Sequence, residues 1–278
     1  MSPLRATLSD AIFITGAARG IGRATAVGFA DIGRNVFLTD ICAQIDACPY
    51  PLGTREELED TAARCRSAGV RVGAAVMDVR RADDITEAVR RCRDEIGPVD
   101  VLVNNAGLVG PGGVAAHELS EQAWSVLLDV DLSGVWRCSK AVLPEMVARR
   151  RGVIVNVAST AGLVAFPHFA GYVAAKHGVI GLTRALALDY AGYSIRANAV
   201  CPTSVQDDPS LSSGMLHGVA GMLGVGLEDY EMLSLPSHPL GTLVTAADVA
   251  STIRWLASAE AAHVTGVAIP VDAGFTAR

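Results

Sequence analysis

No stretch of this 278-residue chain strings together the roughly 18 apolar residues that a membrane-spanning helix needs, although half of its residues are hydrophobic. The apolar excess therefore belongs to a core and to contacts between subunits, with no membrane partner expected. A basic block or aromatic–basic stripe is also lacking, and the net charge is −6. That excludes nucleic acid, whose phosphates demand clustered Lys and Arg. The six cysteines, Cys42, Cys48, Cys65, Cys92, Cys138 and Cys201, include no C-x-x-C pair, and the six histidines include no H-E-x-x-H or H-x-x-x-H. A metal site is not expected, and the thiols read as free and mostly buried. Cys42 and Cys48 flank one loop and are near enough to bridge, but a bridge is not expected. The first ten residues, MSPLRATLSD, are too short and polar for a secretion signal, which points to the cytoplasm. Repeats, low-complexity segments and linkers are absent too, so one domain over 1–278 is expected.

What is present is an alternation. Short apolar or β-branched runs at 11–15, 35–40, 70–78, 99–105, 152–159, 194–200 and 266–272 alternate with helical patterns at 20–33, 54–68, 81–96, 120–150, 170–191 and 245–258. The runs are mostly continuously apolar, as a parallel sheet covered on both faces requires. This predicts an α/β fold, a doubly wound seven-stranded parallel sheet of the Rossmann type with helices on both faces. Two segments break the rhythm. Residues 202–242, rich in Gly, Met, Leu and Ser, leave a strand's carboxyl end, where such sheets bind ligands, and so form a candidate lid. The loop 41–53, ICAQIDACPYPLG, is much longer than the usual two to six residues. It is either tolerated surface or functional.

TGAARGIG follows the first strand, with Gly16, Gly20 and Gly22 in a G-x-x-x-G-x-G spacing and Arg19 and Ile21 between them. Glycines there permit a tight turn, close backbone approach to a pyrophosphate and tight packing of helix on strand. The second strand ends in Asp40, whose carboxylate suits both ribose hydroxyls and repels a 2′-phosphate, so NAD is expected over NADP. Arg19 could instead serve a phosphate, and Asp40 ranks above it. Asp78 and Val79 close the third strand and are candidates to hold adenine. The turn Asn104, Asn105, Ala106 and Gly107 closes the fourth and offers close backbone approach.

Tyr172 and Lys176 lie one turn apart on a predicted helix, and Ser159 ends the preceding strand. A tyrosine phenol has a pKa of about 10. Acting as a base near neutrality needs the phenolate stabilised by about 3–4 kcal/mol, which an ammonium and a nicotinamide ring together are suited to supply.

TGAARGIG, Asp40, NNAG, Ser159, YVAAK and VTGVAIPVDAG together resemble the short-chain dehydrogenase/reductase family across essentially the whole chain. The resemblance implies NAD(P)-dependent interconversion of alcohols and carbonyls. It implies Tyr172 as acid/base, Lys176 as the group that lowers the tyrosine pKa and binds the nicotinamide ribose, and Ser159 as the hydrogen-bond partner of the substrate oxygen. Asn104 and Gly107 fall on its cofactor wall, and Pro202, the strand-six Pro, and Val205 are candidates to meet the nicotinamide. Two departures stand out. Where the family has a catalytic Asn, DVDLSGVW puts Asp131, which adds negative charge near Lys176 and raises the lysine pKa. Where the family often has a carboxamide-binding Thr, CPTSVQDD puts Asp207, and that contact stays unassigned.

The 41–53 insertion is similar to that of carveol-dehydrogenase-like enzymes, described as mycofactocin-dependent, which implies tightly held NAD recycled by an external redox carrier. Ile41, Ile45, Pro49, Tyr50 and Leu52 would then cover the adenosine half. In the lid region, Met215, Leu216, Met222, Leu223, Leu227, Tyr230, Met232 and Leu235 either line a pocket or are plain core. Phe166, His168 and Phe169 precede the catalytic helix, with His168 at the pocket mouth. An apolar pocket suits a small lipophilic alcohol or ketone, terpenoid or alicyclic. The helix at 170–191 is apolar nearly all round, so its outer face, with that of 120–150, is expected to pack against another subunit, and family members are commonly homotetramers. Two alternatives remain open: a reductase with free NAD(P)H turnover on a keto substrate such as a 3-oxoacyl thioester, and a catalytically idle dinucleotide-binding regulator.

Overall fold

Continuous apolar runs become strands because both of their faces are covered. β1 (Ala11–Thr15), β2 (Asn35–Asp40) and β4 (Val99–Asn104) are buried at every residue. With β3 (Val72–Val76), β5 (Gly152–Val157), β6 (Ile195–Pro202) and β7 (Ala268–Val271) they form one parallel sheet in the order β3-β2-β1-β4-β5-β6-β7. The structure, a computed structural model, describes residues 11–206 and 214–277. It has the predicted doubly wound architecture.

Alternate residues of each strand feed two different cores. Phe13, Phe37, Leu102 and Ile154 face one layer, made by α3 (Ala82–Glu95), α4 (Glu121–Leu128), α5 (Gly134–Arg149) and α6 (Ala170–Tyr190). Ile12, Ile14, Leu38, Val103 and Val155 face the other, made by α1 (Gly20–Asp31), α2 (Arg55–Ser67) and α9 (Ala246–Ala257). Capping boxes start α2, where Thr54 and Glu57 exchange hydrogen bonds, and α9, where Thr245 and Asp248 do so.

The helix predicted at 120–150 runs without a break from Glu121 to Arg149, but it is not α-helical throughout. α4 and α5 are separated by one π-helical turn, Asp129–Ser133. A wider turn re-aims the side chains after it, and such turns cluster at functional sites. Here it carries Asp131 to complete burial. The predicted strand at 152–159 stops at Val157, so Ser159 lies two residues beyond it.

The lid segment holds two short helices, α7 (Met215–Met222) and α8 (Leu227–Ser234). Its two stems are tied where Val205 bridges to Val244 and the Gln206 amide donates to the Val244 carbonyl at 2.9 Å. Asp207 lies outside the described residues. All six cysteines are free, Cys42 and Cys48 included. Among the described residues, no helix is long and apolar enough to cross a membrane, and no group of three His, Cys, Asp or Glu could hold a metal ion.

Candidate active site

The sheet order reverses between β1 and β4, and a cavity of about 810 Å³ opens at the carboxyl ends of the strands there, as expected of a doubly wound fold. Gly16, Arg19, Gly20, Ile21, Asp40, Asp78, Val79, Asn105, Ala106, Gly107, Ser159, Tyr172, Lys176, Pro202 and Val205 all line it. Three of the residues singled out for the nucleotide and for proton transfer do not. Gly22 lies behind Gly16, Asp131 lies behind Lys176, and Asn104 faces away.

The glycine turn is a cradle that side chains would fill. A Cβ on Gly22 would sit 2.0 Å from the Gly16 carbonyl oxygen, and Gly16 has φ +64, which an L side chain resists. Asn105 locks this turn to the β4 turn, its Nδ2 donating to the carbonyls of Thr15 and Gly16 at 2.9 and 2.8 Å. The Thr15 hydroxyl accepts from the amides of Asn105 and Ala106. Asn104, the last strand residue, points to the opposite face by strand alternation. Its amide donates to Asn156 at 2.8 Å and to Ser139 at 3.2 Å in the α5–α6 core. Its expected place on the cofactor wall is thus corrected.

Asp40 stands at the end of β2 and is buried. Burial pushes its carboxyl up, while backbone N–H groups of Ala18 and Cys42 and the charge of Arg19 pull it down. Both bonds leave lone pairs free for ribose hydroxyls, so the residues present fit a dinucleotide. Asp78 is gripped by Arg80, whose Nε lies 3.0 Å from both carboxylate oxygens. Partial burial pushes that carboxyl up, but the Arg80 hydrogen bonds outweigh it and leave the group below its ordinary value.

At the opposite end, Ser159, Tyr172 and Lys176 converge on the cavity. The Ser159 hydroxyl accepts from the Ala161 amide at 3.1 Å. Lys176 Nζ lies 5.5 Å from the Tyr172 ring centroid and donates to the Val157 carbonyl at 3.2 Å. It also pairs with Asp131 Oδ1 at 3.4 Å. Burial pushes the phenol of Tyr172 up, Lys176 and a hydrogen bond with Ser159 pull it down, and Asp131 pushes it up further. The chain's own groups leave it above its ordinary value, so acidifying it requires further positive charge in the cavity. Lys176 is pulled down by burial but raised on balance by Asp131 and Tyr172.

Asp131 is not among the side chains that line the cavity and lies behind Lys176, whose ammonium it meets. Oδ1 accepts from the Leu108 amide at 2.9 Å, while the buried Oδ2 has no hydrogen-bond partner. Gly107 is what admits the carboxylate, since a Cβ there would stand 2.6 Å from Oδ1. Burial pushes the Asp131 carboxyl up against the pull of Lys176 and the Leu108 amide.

The rest of the wall is apolar. Of the two readings left open for the lid residues, Met215, Leu216, Leu223 and Tyr230 take the first and line it, as do Phe166, Phe169, Val219, Leu233 and Phe275. Met222 packs instead on Gly110 and Gly113, and Met232 is 64% exposed. Neither they nor Leu227, Leu235 and His168 line the cavity. The histidine in the wall is His238, whose Nδ1–H donates to the Ser234 carbonyl at 2.8 Å, with Nε2 3.2 Å from the Thr203 hydroxyl. Phe275 stacks on Phe166 with centroids 5.7 Å apart. Both contacts join residues far apart in sequence, and no local pattern signals them. From the insertion, Ile41, Ile45, Tyr50 and Leu52 line the cavity, while Pro49 packs outside it near Gly110.

Comparison with known proteins places this geometry among relatives. A family model described as short chain dehydrogenase matches residues 10–212. An uncharacterized oxidoreductase of Mycobacterium tuberculosis is 39% identical, covering 95% of this chain and 94% of that protein. A (-)-trans-carveol dehydrogenase of Rhodococcus erythropolis is 36% identical, covering 95% and 96%. Among solved structures, a carveol dehydrogenase from Mycobacterium avium in complex with NAD superposes with a TM-score of 0.90 at 36% identity, covering 97% of this chain and 98% of that one.

Proposed function

The chain belongs to the short-chain dehydrogenase family as an NAD-dependent oxidoreductase acting on CH–OH groups, and from that premise we propose that it interconverts a lipophilic, alicyclic or terpenoid secondary alcohol and its ketone. The observation that carries this reading is the meeting of Ser159, Tyr172 and Lys176 on one side of a cavity whose other side is apolar. When bound, NAD supplies the hydride acceptor and the positive ring charge. Ser159 holds the substrate oxygen, and Tyr172 takes the hydroxyl proton during oxidation. Lys176 favours the phenolate and holds the nicotinamide ribose. Asp131 keeps Lys176 charged. Gly16 and Gly20 would cradle the pyrophosphate, with Gly22 packed behind Gly16 to keep the turn tight, Asp40 would take the ribose hydroxyls, Asp78 and Val79 would flank the adenine, and Pro202 and Val205 the nicotinamide. A 3-oxoacyl thioester carried on a phosphate-bearing arm is disfavoured, because residues 202–242 hold no Lys or Arg while Glu228, Asp229 and Glu231 add negative charge.

Tight retention of NAD, with reoxidation by a separate redox carrier, is part of this proposal. Gly53 brings the end of the insertion back over Asp40, where a Cβ would stand 3.0 Å from Oδ1. Arg19 donates to the Pro51 carbonyl, which engages this guanidinium with the loop. A homotetramer is also proposed. It is supported by exposed Trp124, Trp136 and Leu188 on the outer faces of α4, α5 and α6. The test is a panel of cyclic secondary alcohols, carveol included, assayed with added NAD and separately with an artificial dye acceptor after measuring copurified NAD. Turnover of the alcohols supports the reading, and dye-only turnover supports retention. Ready multiple turnover on added NAD removes retention, and no turnover of any secondary alcohol removes the substrate class.

A further inference from the structure

The insertion has a defined shape because Gln44 closes it on itself. Gln44 Nε2 donates to the carbonyls of Cys48 at 3.2 Å and Tyr50 at 3.0 Å, and its Oε1 accepts from the Leu52 amide at 3.1 Å. A loop built only to be tolerated on a surface needs no such bracing. What the bracing presents to the interior is Tyr50, which is 5% exposed.

Beyond the insertion itself, Tyr50 reaches two segments. Its ring lies against the lid helix α7, where a Cβ on Gly218 would stand 2.4 Å from Cδ1. Its hydroxyl oxygen accepts from the Val109 amide at 3.0 Å. Val109 is buried, so that N–H depends on Tyr50 for its partner. The next amide back along the chain, Leu108 N–H, goes to Asp131 Oδ1 at 2.9 Å, and the same oxygen pairs with Lys176 at 3.4 Å. A short peptide is thus pinned from both sides, by the insertion on one and by the carboxylate behind the catalytic lysine on the other. Asp131 has no second brace, because its Oδ2 has no hydrogen-bond partner.

We propose that Tyr50 is a positioning residue for catalysis: by holding Val109 it keeps Leu108 on Asp131, and so holds Asp131 against Lys176. The insertion is then a working part of the catalytic centre in addition to any role as a nucleotide cover. This rests on the reading of Tyr172 and Lys176 as the proton-transfer pair.

Tyr50→Phe tests it, because the ring that seats α7 stays while the hydroxyl is lost, with its bonds to the Val109 amide and to the Cys48 side chain inside the insertion. With carveol as substrate, kcat is expected to fall about tenfold, equivalent to 1.4 kcal/mol, with KM held within about twofold. In an Asp131→Asn background the same change is expected to cost less than about threefold, since coupled residues are non-additive. An unchanged kcat, or an equal loss on both backgrounds, overturns the proposal. Amide hydrogen exchange supplies a readout independent of turnover, so it separates this link from the substrate reading. In Tyr50→Phe, exchange at Leu108 is expected to quicken at least about fivefold with Val101 in β4 unchanged, and an unchanged Leu108 overturns the link. Should that variant fail to fold, Asp131→Asn replaces a charged acceptor by a weaker neutral one. Exchange at Val109 is then expected to quicken several-fold, and an unchanged Val109 is equally fatal.

Discussion

The two ends of β4 each face a buried aspartate, and the two are treated differently. At the amino end, Asp100 is 5% exposed and surrounded by arginines: Arg149 at 3.0 Å, Arg34 at 3.8 Å, and Arg151 in direct contact. Each of its oxygens has a cationic partner. At the carboxyl end, Asp131 is wholly buried, shares one oxygen between the Leu108 amide and Lys176, and leaves the other without a hydrogen-bond partner. A buried charge that is fully answered ties elements together. One that is partly answered carries a cost, and such costs persist where the chemistry uses them. The contrast separates an end of the sheet that holds the fold from the end where the proposed chemistry lies, and three substitutions probe it.

The largest effect is expected at the chemical end. Tyr172→Phe removes the proposed proton acceptor while leaving a ring of the same shape, so kcat should fall by about 10²–10⁴ with Tm within roughly 2 °C of the parent. Comparable turnover in the variant would take the chemistry away from this residue and with it the meaning of the contrast. Asp100→Ala should do the reverse. It strands arginines that were answering one carboxylate, at a cost of about 3 kcal/mol, the low end for a broken buried pair because Arg149 and Arg151 keep contact with solvent. In a chain of this size that lowers Tm by roughly 6–12 °C, with kcat within about twofold, as thermal unfolding and initial rates will show. A loss of activity without loss of stability would make the two ends alike.

The same contrast explains what the sequence revealed and what it concealed. Strands were legible because burial on both faces leaves a continuous apolar run. The glycine turn was legible because backbone-level crowding, such as the 2.0 Å between a Gly22 Cβ and the Gly16 carbonyl, permits no other residue. Tyr172 and Lys176 share a helix face by spacing alone. Asn104 was misplaced by one step of strand alternation: Asn105 turns to the cavity and Asn104 to Ser139 and Asn156. The π-helical turn at Asp129–Ser133 was invisible because one wide turn barely disturbs helical periodicity. His238, Phe275 and the Tyr50–Val109 bond were invisible because their partners lie up to 109 residues away along the chain, as for Phe275 on Phe166. Only side-chain packing brings them together.

Asp131→Asn is the finest test, because it changes one charge and keeps a similar shape. The charged and titratable groups acting on Tyr172 are Lys176, Asp131 and Cys201, with the Ser159 hydroxyl hydrogen-bonded to it. Burial holds the phenol up and Asp131 pushes it further, so removing that negative charge favours the phenolate and lowers the tyrosine pKa. Lys176 is held up chiefly by Asp131 against burial, so the ammonium also loses its proton more readily in the variant. In the proposed mechanism, alcohol oxidation needs Tyr172 deprotonated and Lys176 protonated. Its rising limb therefore moves to lower pH as the phenol acidifies, and its falling limb moves to lower pH as the lysine weakens. The limbs belong to the coupled groups together, so the window is expected to slide as a whole, with kcat at its maximum lowered by about tenfold, no less than the loss expected of Tyr50→Phe. A profile of kcat/KM against pH for carveol oxidation reads this directly. A window that stays in place, or slides upward, would mean that the carboxylate behind Lys176 is as inert toward the chemistry as Asp100 at the far end of the strand.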